Sequence, residues 1–255
     1  MMRIIAIANQ KGGVGKTTSA VNLAAGLALA GKRVLLVDLD PQGNATMGLG
    51  VNKNALTHTI YQVLVDQIPL SGVLHPVSPA GLQLAPANAE LSGAEVELVD
   101  QTGRDQRLRE ALATQAQAFD YALIDCPPAL NMLTVNALVA AHSVMIPMQC
   151  EYYALEGLTQ LLATIRRVRS QFNPDLALGG LLRTMFDPRN RLANEVAAEL
   201  ERHFPDKLYQ TVVPRNVRLA EAPSHGRAVM EYDRQCAGTQ AYLGLTREFL
   251  RREEG

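Results

Sequence analysis

The chain has 255 residues, 47% of them hydrophobic and 19% charged, with 24 Lys and Arg against 25 Asp and Glu. That length can bury a sizeable core without disulfides or metals, and the composition excludes a disordered chain, a collagen-like repeat and a small disulfide scaffold. A net charge of −1 gives no bulk signal for nucleic acid, so any such surface has to be local.

Three cysteines, Cys126, Cys150 and Cys236, lie far apart with no CxxC pair, the pattern of buried reduced thiols in a cytosolic protein. The apolar run near the N-terminus is too short for a signal peptide, and no apolar stretch approaches the ~20 residues of a membrane span. In chain order, strands are expected at Ile4–Ala8, Arg33–Val37, Tyr121–Ile124, Ser143–Pro147, Leu178–Met185 and Tyr209–Val213. Helices are expected at Lys16–Ala30, closed by Gly31, and at Asp105–Ala118, Leu155–Gln171, Leu192–Phe204 and Thr239–Arg252. Residues 51–100 carry Pro69, Pro76, Pro79 and Pro86 and no clear period; they read as short helices and loops with an extra strand at Leu82–Leu84. Continuous apolar strands alternating with helices predict an α/β layered fold, a mostly parallel sheet with helices on both faces. No composition break divides the chain, so residues 1–255 read as one domain.

The chemistry sits in Gln10-Lys11-Gly12-Gly13-Val14-Gly15-Lys16-Thr17-Thr18, between the first strand and the first helix. Glycines let several backbone N–H groups point into one concavity, and the helix N-terminus adds its positive dipole end. The result is a phosphate cradle, with Lys16 reaching the β- and γ-phosphates and the Thr17 hydroxyl offered to Mg²⁺. The usual pattern has a glycine where Gln10 stands, and a second lysine, Lys11, lies inside the loop. Further along, Val34-Leu35-Leu36-Val37-Asp38-Leu39-Asp40-Pro41 ends a strand in two carboxylates two residues apart, at the edge where parallel sheets bind ligands. Ala122-Leu123-Ile124-Asp125-Cys126-Pro127-Pro128 ends a strand in one acid, the position from which Asp125 would hold Mg²⁺ through water.

The KGGVGKTT loop resembles the deviant Walker class of P-loop ATPases, which holds the ParA/Soj partition ATPases, MinD, the arsenite-pump ATPases and the nitrogenase iron protein. NQKGGVGKTT, LLVDLDPQGNAT, IDCPP, QCEYYALEGL and VVPRNVRLAEAPSHG together are similar to the short chromosomal ParA/Soj type. The resemblance covers most of the chain and implies an ATP hydrolase of weak intrinsic activity with ATP and Mg²⁺ as its ligands. It implies that Lys11 crosses a nucleotide-sandwich homodimer to the partner subunit's phosphates, where a second cation would act as an arginine finger does. It gives Asp40 the attacking water and Asp38 support of the Mg²⁺ shell. It places Pro214 near the adenine and Glu151 against nucleotide across the dimer. It also implies sequence-independent DNA binding through Arg189 and Arg218, hydrolysis stimulated by a ParB/Spo0J-type centromere-binding protein, and a cytoplasmic, nucleoid-associated location without a membrane partner.

Residues 166–191 hold six arginines (166, 167, 169, 183, 189 and 191) against Asp175 and Asp187, a local balance of +4 that a dimer would present twice. The closest rival is a MinD-like membrane-cycling ATPase, which needs a C-terminal amphipathic helix. Here Leu245, Phe249 and Leu250 share one face, which suits a helix docked on its own domain, and the terminal glutamates oppose anionic lipid. The nitrogenase iron protein is disfavoured because no second cysteine accompanies Cys126 for a shared cluster. A P-loop small-molecule kinase would need a lid with catalytic arginines and no Lys11.

Overall fold

The computed structural model describes residues 2–254. Eight strands form one sheet: β1 (Arg3–Ile7), β2 (Val34–Asp38), β3 (His75–Val77), β4 (Leu82–Ala85), β5 (Tyr121–Asp125), β6 (Ser143–Met148), β7 (Ala177–Phe186) and β8 (Leu208–Pro214). Their spatial order is β3-β4-β2-β5-β1-β6-β7-β8, and every neighbouring pair is parallel except β3 with β4. The chain leaves β1 toward one edge, returns to place β5 beside it, then builds the other edge from β6. The central β1 is therefore where the winding direction reverses, and ligands of parallel sheets bind beyond the C-terminal ends of strands at such a point.

Strand alternation divides the core into two layers. Ile4, Ala6, Leu35, Val37, Ala122 and Ile124 face one layer. Ile5, Ile7, Val34, Leu36, Tyr121 and Leu123 face the other. The second layer is covered by α1 (Lys16–Leu29), and the first by α2 (Arg107–Ala113), α3 (Met132–Ala140), α4 (Ala154–Gln171) and α5 (Arg191–His203). The last helix, α6 (Ala237–Glu254), lies against α1 and β8.

The terminal helix docks on its own chain. Tyr242, Leu245 and Phe249 are buried, Phe249 packs edge-on against Tyr121 with ring centroids 5.6 Å apart, and the Tyr242 and Ser19 hydroxyls are 3.1 Å apart. A Cβ on Gly26 would lie 2.2 Å from Thr246 Oγ1, so glycine is what lets α1 and α6 approach this closely. The apolar face that a membrane-cycling protein would offer to lipid is used here in the core. No helix among the described residues is long and apolar enough to cross a membrane.

Elements with continuous apolar runs match their expected positions within one or two residues. The region 51–100 does contain β4 and short helical turns, and β3 adds an antiparallel edge. The helix expected at 105–118 is shorter, Arg107–Ala113. Beyond it the amides of Gln115, Ala116 and Ala118 bond three residues back, tightening the chain into turns. Helix α3, not anticipated, is capped by the preceding Asn131, whose side chain accepts from Thr134 N at 3.1 Å.

Candidate nucleotide site

The phosphate loop leaves the C-terminal end of β1 and enters α1 at Gly15, which takes φ of 85° as the residue preceding the helix. A side chain there would be strained, so the tight entry needs glycine. The loop is pinned from both sides: Asn9 Nδ2 donates to Pro147 O at 2.8 Å, Asn9 Oδ1 accepts from Lys11 N at 3.0 Å, and Thr184 Oγ1 donates to Val14 O at 2.8 Å. Asn9 and Thr184 were not legible as site residues. Asn9 could have been found as the polar residue breaking an apolar strand just before the loop; Thr184 gives no such signal.

Lys16 is buried, and its ammonium donates to Lys11 O at 3.1 Å, across the loop it would use to hold a phosphate. Burial pulls its pKa down, opposed by the negative charges of Asp125 and Asp40. Those acids come from neighbouring strands. In the parallel register Asp38 lies beside Asp125, and Asp125 beside Ile7. Both acids have the parity of the residues facing α1, so pairing and alternation alone put them beneath the phosphate loop.

The two buried carboxylates are in unlike states. Asp38 is fully served: Oδ2 accepts from Thr46 N at 2.8 Å and Thr46 Oγ1 at 2.7 Å, and Oδ1 from Asp40 N at 3.2 Å. Burial still pushes its pKa up to about 6. Neither oxygen of Asp125 has a hydrogen-bond partner. The Thr17 side chain lies near enough to favour its ionised form without meeting hydrogen-bond geometry, and burial, with the Asp38 charge next, drives the Asp125 pKa well upward. An orphaned buried carboxylate beside a threonine hydroxyl fits a magnesium ion that keeps most of its ligands as water and phosphate oxygens. Among the described residues no group of three or more His, Cys, Asp or Glu forms a complete metal cage, so the protein would supply only part of the shell.

Asp125→Asn is therefore expected to raise the melting temperature of the nucleotide-free protein near pH 7 by several degrees, because it removes a buried charge that Lys16 only partly offsets, at a cost of about 1–3 kcal/mol. The folded-state pKa lies above the unfolded value, so protonation at lower pH relieves the same cost. The gain should shrink as pH falls, which thermal unfolding at several pH values checks.

Asp40 follows β2, is nearly buried, and accepts from Gln42 N at 2.9 Å through Oδ1. Lys11 is 41% exposed at its side chain and forms an ion pair with Glu151 of the same chain, itself 51% exposed. Gly12, Gly13 and Thr18 lie with Lys11 on the rim, while Val14 is buried. Beside the loop, Gly15, Thr18, Thr184, Pro214, Asn216, Val217 and Tyr242 line a mostly apolar cavity of about 310 Å³. Asn216 Oδ1 is buried there without a donor. A larger cavity of about 500 Å³ lies at the opposite, N-terminal edge of the sheet, but the arginines lining it are already paired, Arg3 with Glu253 and Arg33 with Asp120.

Arg189 follows β7 and Arg218 follows β8, so both stand at the sheet edge that carries the phosphate loop. Each is ion-paired locally, Arg189 with Asp187 at 2.8 Å and Arg218 with Glu221 at 2.7 Å. The six arginines of 166–191 do not form one patch. Helix α4 crosses back from the C-terminal end of β6 to the start of β7, so Arg166, Arg167 and Arg169 in its last turns lie toward the opposite edge. Arg183 is inside β7 and donates to Tyr209 O at 3.2 Å.

The AAA-domain family profile matches residues 2–178. The chain is 53% identical to the chromosome partitioning protein ParA of Myxococcus xanthus over 251 residues, 98% of this chain and 89% of that protein. It is also 53% identical to the sporulation initiation inhibitor protein Soj of Bacillus subtilis over 248 residues, 97% of this chain and 98% of that one. Among solved structures, the cobyrinic acid a,c-diamide synthase of Mycobacterium smegmatis with bound ATP analog and magnesium superposes with a TM-score of 0.88 at 37% identity, over 100% of this chain and 97% of that chain.

Proposed function

The chain belongs to the ParA/Soj family of chromosome-partitioning P-loop ATPases, and from that premise we propose that it is a DNA-segregation switch whose nucleotide state sets its dimerisation and whose dimer binds DNA. The observation that carries the proposal is the meeting of Lys16, Asp40 and the unsatisfied Asp125 under one phosphate loop, with Lys11 half-exposed at its rim. The synthase of the structural match shares the fold at lower identity than the two partition relatives.

ATP would lie with its phosphates in the amides of Gly12 to Thr18 and its base in the apolar cavity beside Pro214. The free Asn216 oxygen there suits the exocyclic amine of adenine. Lys16 would exchange its contact with the Lys11 carbonyl for the β- and γ-phosphates. Thr17 and Asp125 would hold Mg²⁺, which when bound neutralises charge on the phosphates. Asp38, its oxygens already engaged by Thr46 and Asp40, would support that shell from behind by fixing the loop. Two subunits would meet face to face through this edge, each Lys11 reaching the partner subunit's phosphates and Glu151 lying beside the nucleotide across the dimer. Asp40 would orient the water that attacks the γ-phosphorus, giving ADP and inorganic phosphate. A ParB/Spo0J-type protein would accelerate that step and so release DNA, and the protein would work in the cytoplasm on the nucleoid. The whole of residues 1–255 would act as one nucleotide-binding domain.

The test is co-sedimentation with DNA in ATP, in ADP and without nucleotide. Binding restricted to ATP is expected; equal binding in all three states overturns the switch. Arg189→Ala and Arg218→Ala should each weaken ATP-dependent DNA binding while sparing the ATP dimer. Each change occurs twice per dimer, so the slope of log affinity against log salt should fall by about two phosphate contacts. An unchanged slope in both variants would move the DNA surface elsewhere.

A further inference from the structure

The segment 87–97 joins the two loops that flank the site, and each junction is made by a side chain so far without a role. At one end, Thr46 Oγ1 accepts from Ala87 N at 3.0 Å and donates to Asp38 Oδ2 at 2.7 Å. Asp38 in turn accepts from the amide of Asp40, so the Asp40 loop is fastened to residue 87 through one buried hydroxyl. The loop cannot stand off from that strand end. A Cβ on Gly43 would lie 2.7 Å from Ala87 O, and Gly43 takes φ of 59°. At the other end, Glu95 accepts from Asn131 Nδ2. Asn131 caps α3 through its oxygen, and Thr134 Oγ1 ties that helix start to Ala129 O at 2.6 Å, closing the loop that follows Asp125. Between the ends, Asn88 caps the turn 89–93 by accepting from Glu90 N at 3.1 Å, while Leu91 and Ala94 are buried. The segment is thus anchored in the core and tied at both ends.

We propose that residues 87–97 act as a strut that moves the Asp40 loop and the loop after Asp125 together, with Thr46 and Asn131 as its positioning residues. Neither touches the reacting atoms; each acts through its loop. The consequence for hydrolysis rests on the Asp40 reading above, whereas the mechanical coupling does not.

Two variants test it from opposite ends. Thr46→Val keeps shape and removes the hydroxyl; Thr46→Ser keeps the hydroxyl. Asn131→Asp keeps the helix-capping oxygen and removes the donor to Glu95. Amide hydrogen exchange of the nucleotide-free protein is the first readout. Thr46→Val should speed exchange in residues 129–134, Asn131→Asp should speed it in residues 40–46, and Thr46→Ser should behave as the parent. Changes confined to each variant's own loop overturn the strut, and if Thr46→Val does not fold, the Asn131→Asp arm decides alone. The second readout is steady-state ATP hydrolysis. Thr46→Val and Asn131→Asp should each lower kcat about 5- to 10-fold with KM for ATP little changed, Thr46→Ser should match the parent, and the Thr46→Val/Asn131→Asp double variant should fall no further than either single one. Multiplicative losses in the double variant overturn the coupling at the chemical step. A parent protein that does not hydrolyse ATP overturns the proposed function, and the exchange data still judge the strut.

Discussion

Asp40→Ala should abolish steady-state ATP hydrolysis, by at least about 100-fold, while leaving a protein that folds, binds ATP and dimerises. A group that positions or deprotonates the attacking water contributes about 10²–10⁴ in rate. The structural cost is small, because Asp40 gives up one accepted hydrogen bond, from Gln42 N at 2.9 Å. Asp38, two residues earlier, is the contrast. Its removal leaves the Thr46 hydroxyl and two amides buried without their acceptor, so Asp38→Ala should lose stability before it reveals anything about activity. Asp40→Ala should therefore accumulate as an ATP dimer that stays on DNA after the parent has released it. Size-exclusion chromatography with ATP and co-sedimentation after a fixed delay check both halves. A variant that stays monomeric with ATP would sink the assignment of Asp40 to hydrolysis.

The nucleotide edge was legible because its determinants are local. An apolar strand, a glycine loop and an Ala- and Leu-rich helix lie within about thirty contiguous residues, and the acids of β2 and β5 each end an apolar run. Parallel register then aligns those ends without further information. What was not legible depends on contacts remote in sequence. The Thr46 hydroxyl finds its partners 8 and 41 residues away, and nothing in Asn44-Ala45-Thr46 marks it as the hub. Residues 51–100 gave no period because they break into short helical turns and two strands of three and four residues, each too short to repeat a helix or strand spacing in sequence. The arginine count over 166–191 misled for a different reason. A crossover helix returns the chain to the opposite edge of the sheet, so neighbours in sequence are separated in space.

Lys11→Ala should separate nucleotide binding from dimerisation. The backbone of Lys11 is held on both sides, its amide by Asn9 and its carbonyl by Lys16, so the loop should keep its shape without the side chain. Monomeric ATP binding is expected to survive through Lys16 and the loop amides. The ATP dimer should be lost, and hydrolysis should fall about 10³-fold, the scale on which a cation supplied in trans acts at a phosphoryl transition state. Equal loss of ATP binding by the monomer would place Lys11 in its own subunit's site and refute the crossing. The ion pair with Glu151 makes the crossing inexpensive. Both side chains are about half exposed, and such a pair contributes at most about 1 kcal/mol, so a triphosphate outcompetes one carboxylate for the ammonium. Glu151→Gln then divides the two roles open to that residue. If Glu151 mainly restrains Lys11 within the monomer, the variant should dimerise with ATP up to about thirtyfold more tightly, because each dimer frees two such pairs of at most about 1 kcal/mol each. If it mainly contacts nucleotide across the dimer, the variant should dimerise less tightly, and analytical ultracentrifugation across an ATP titration gives the sign.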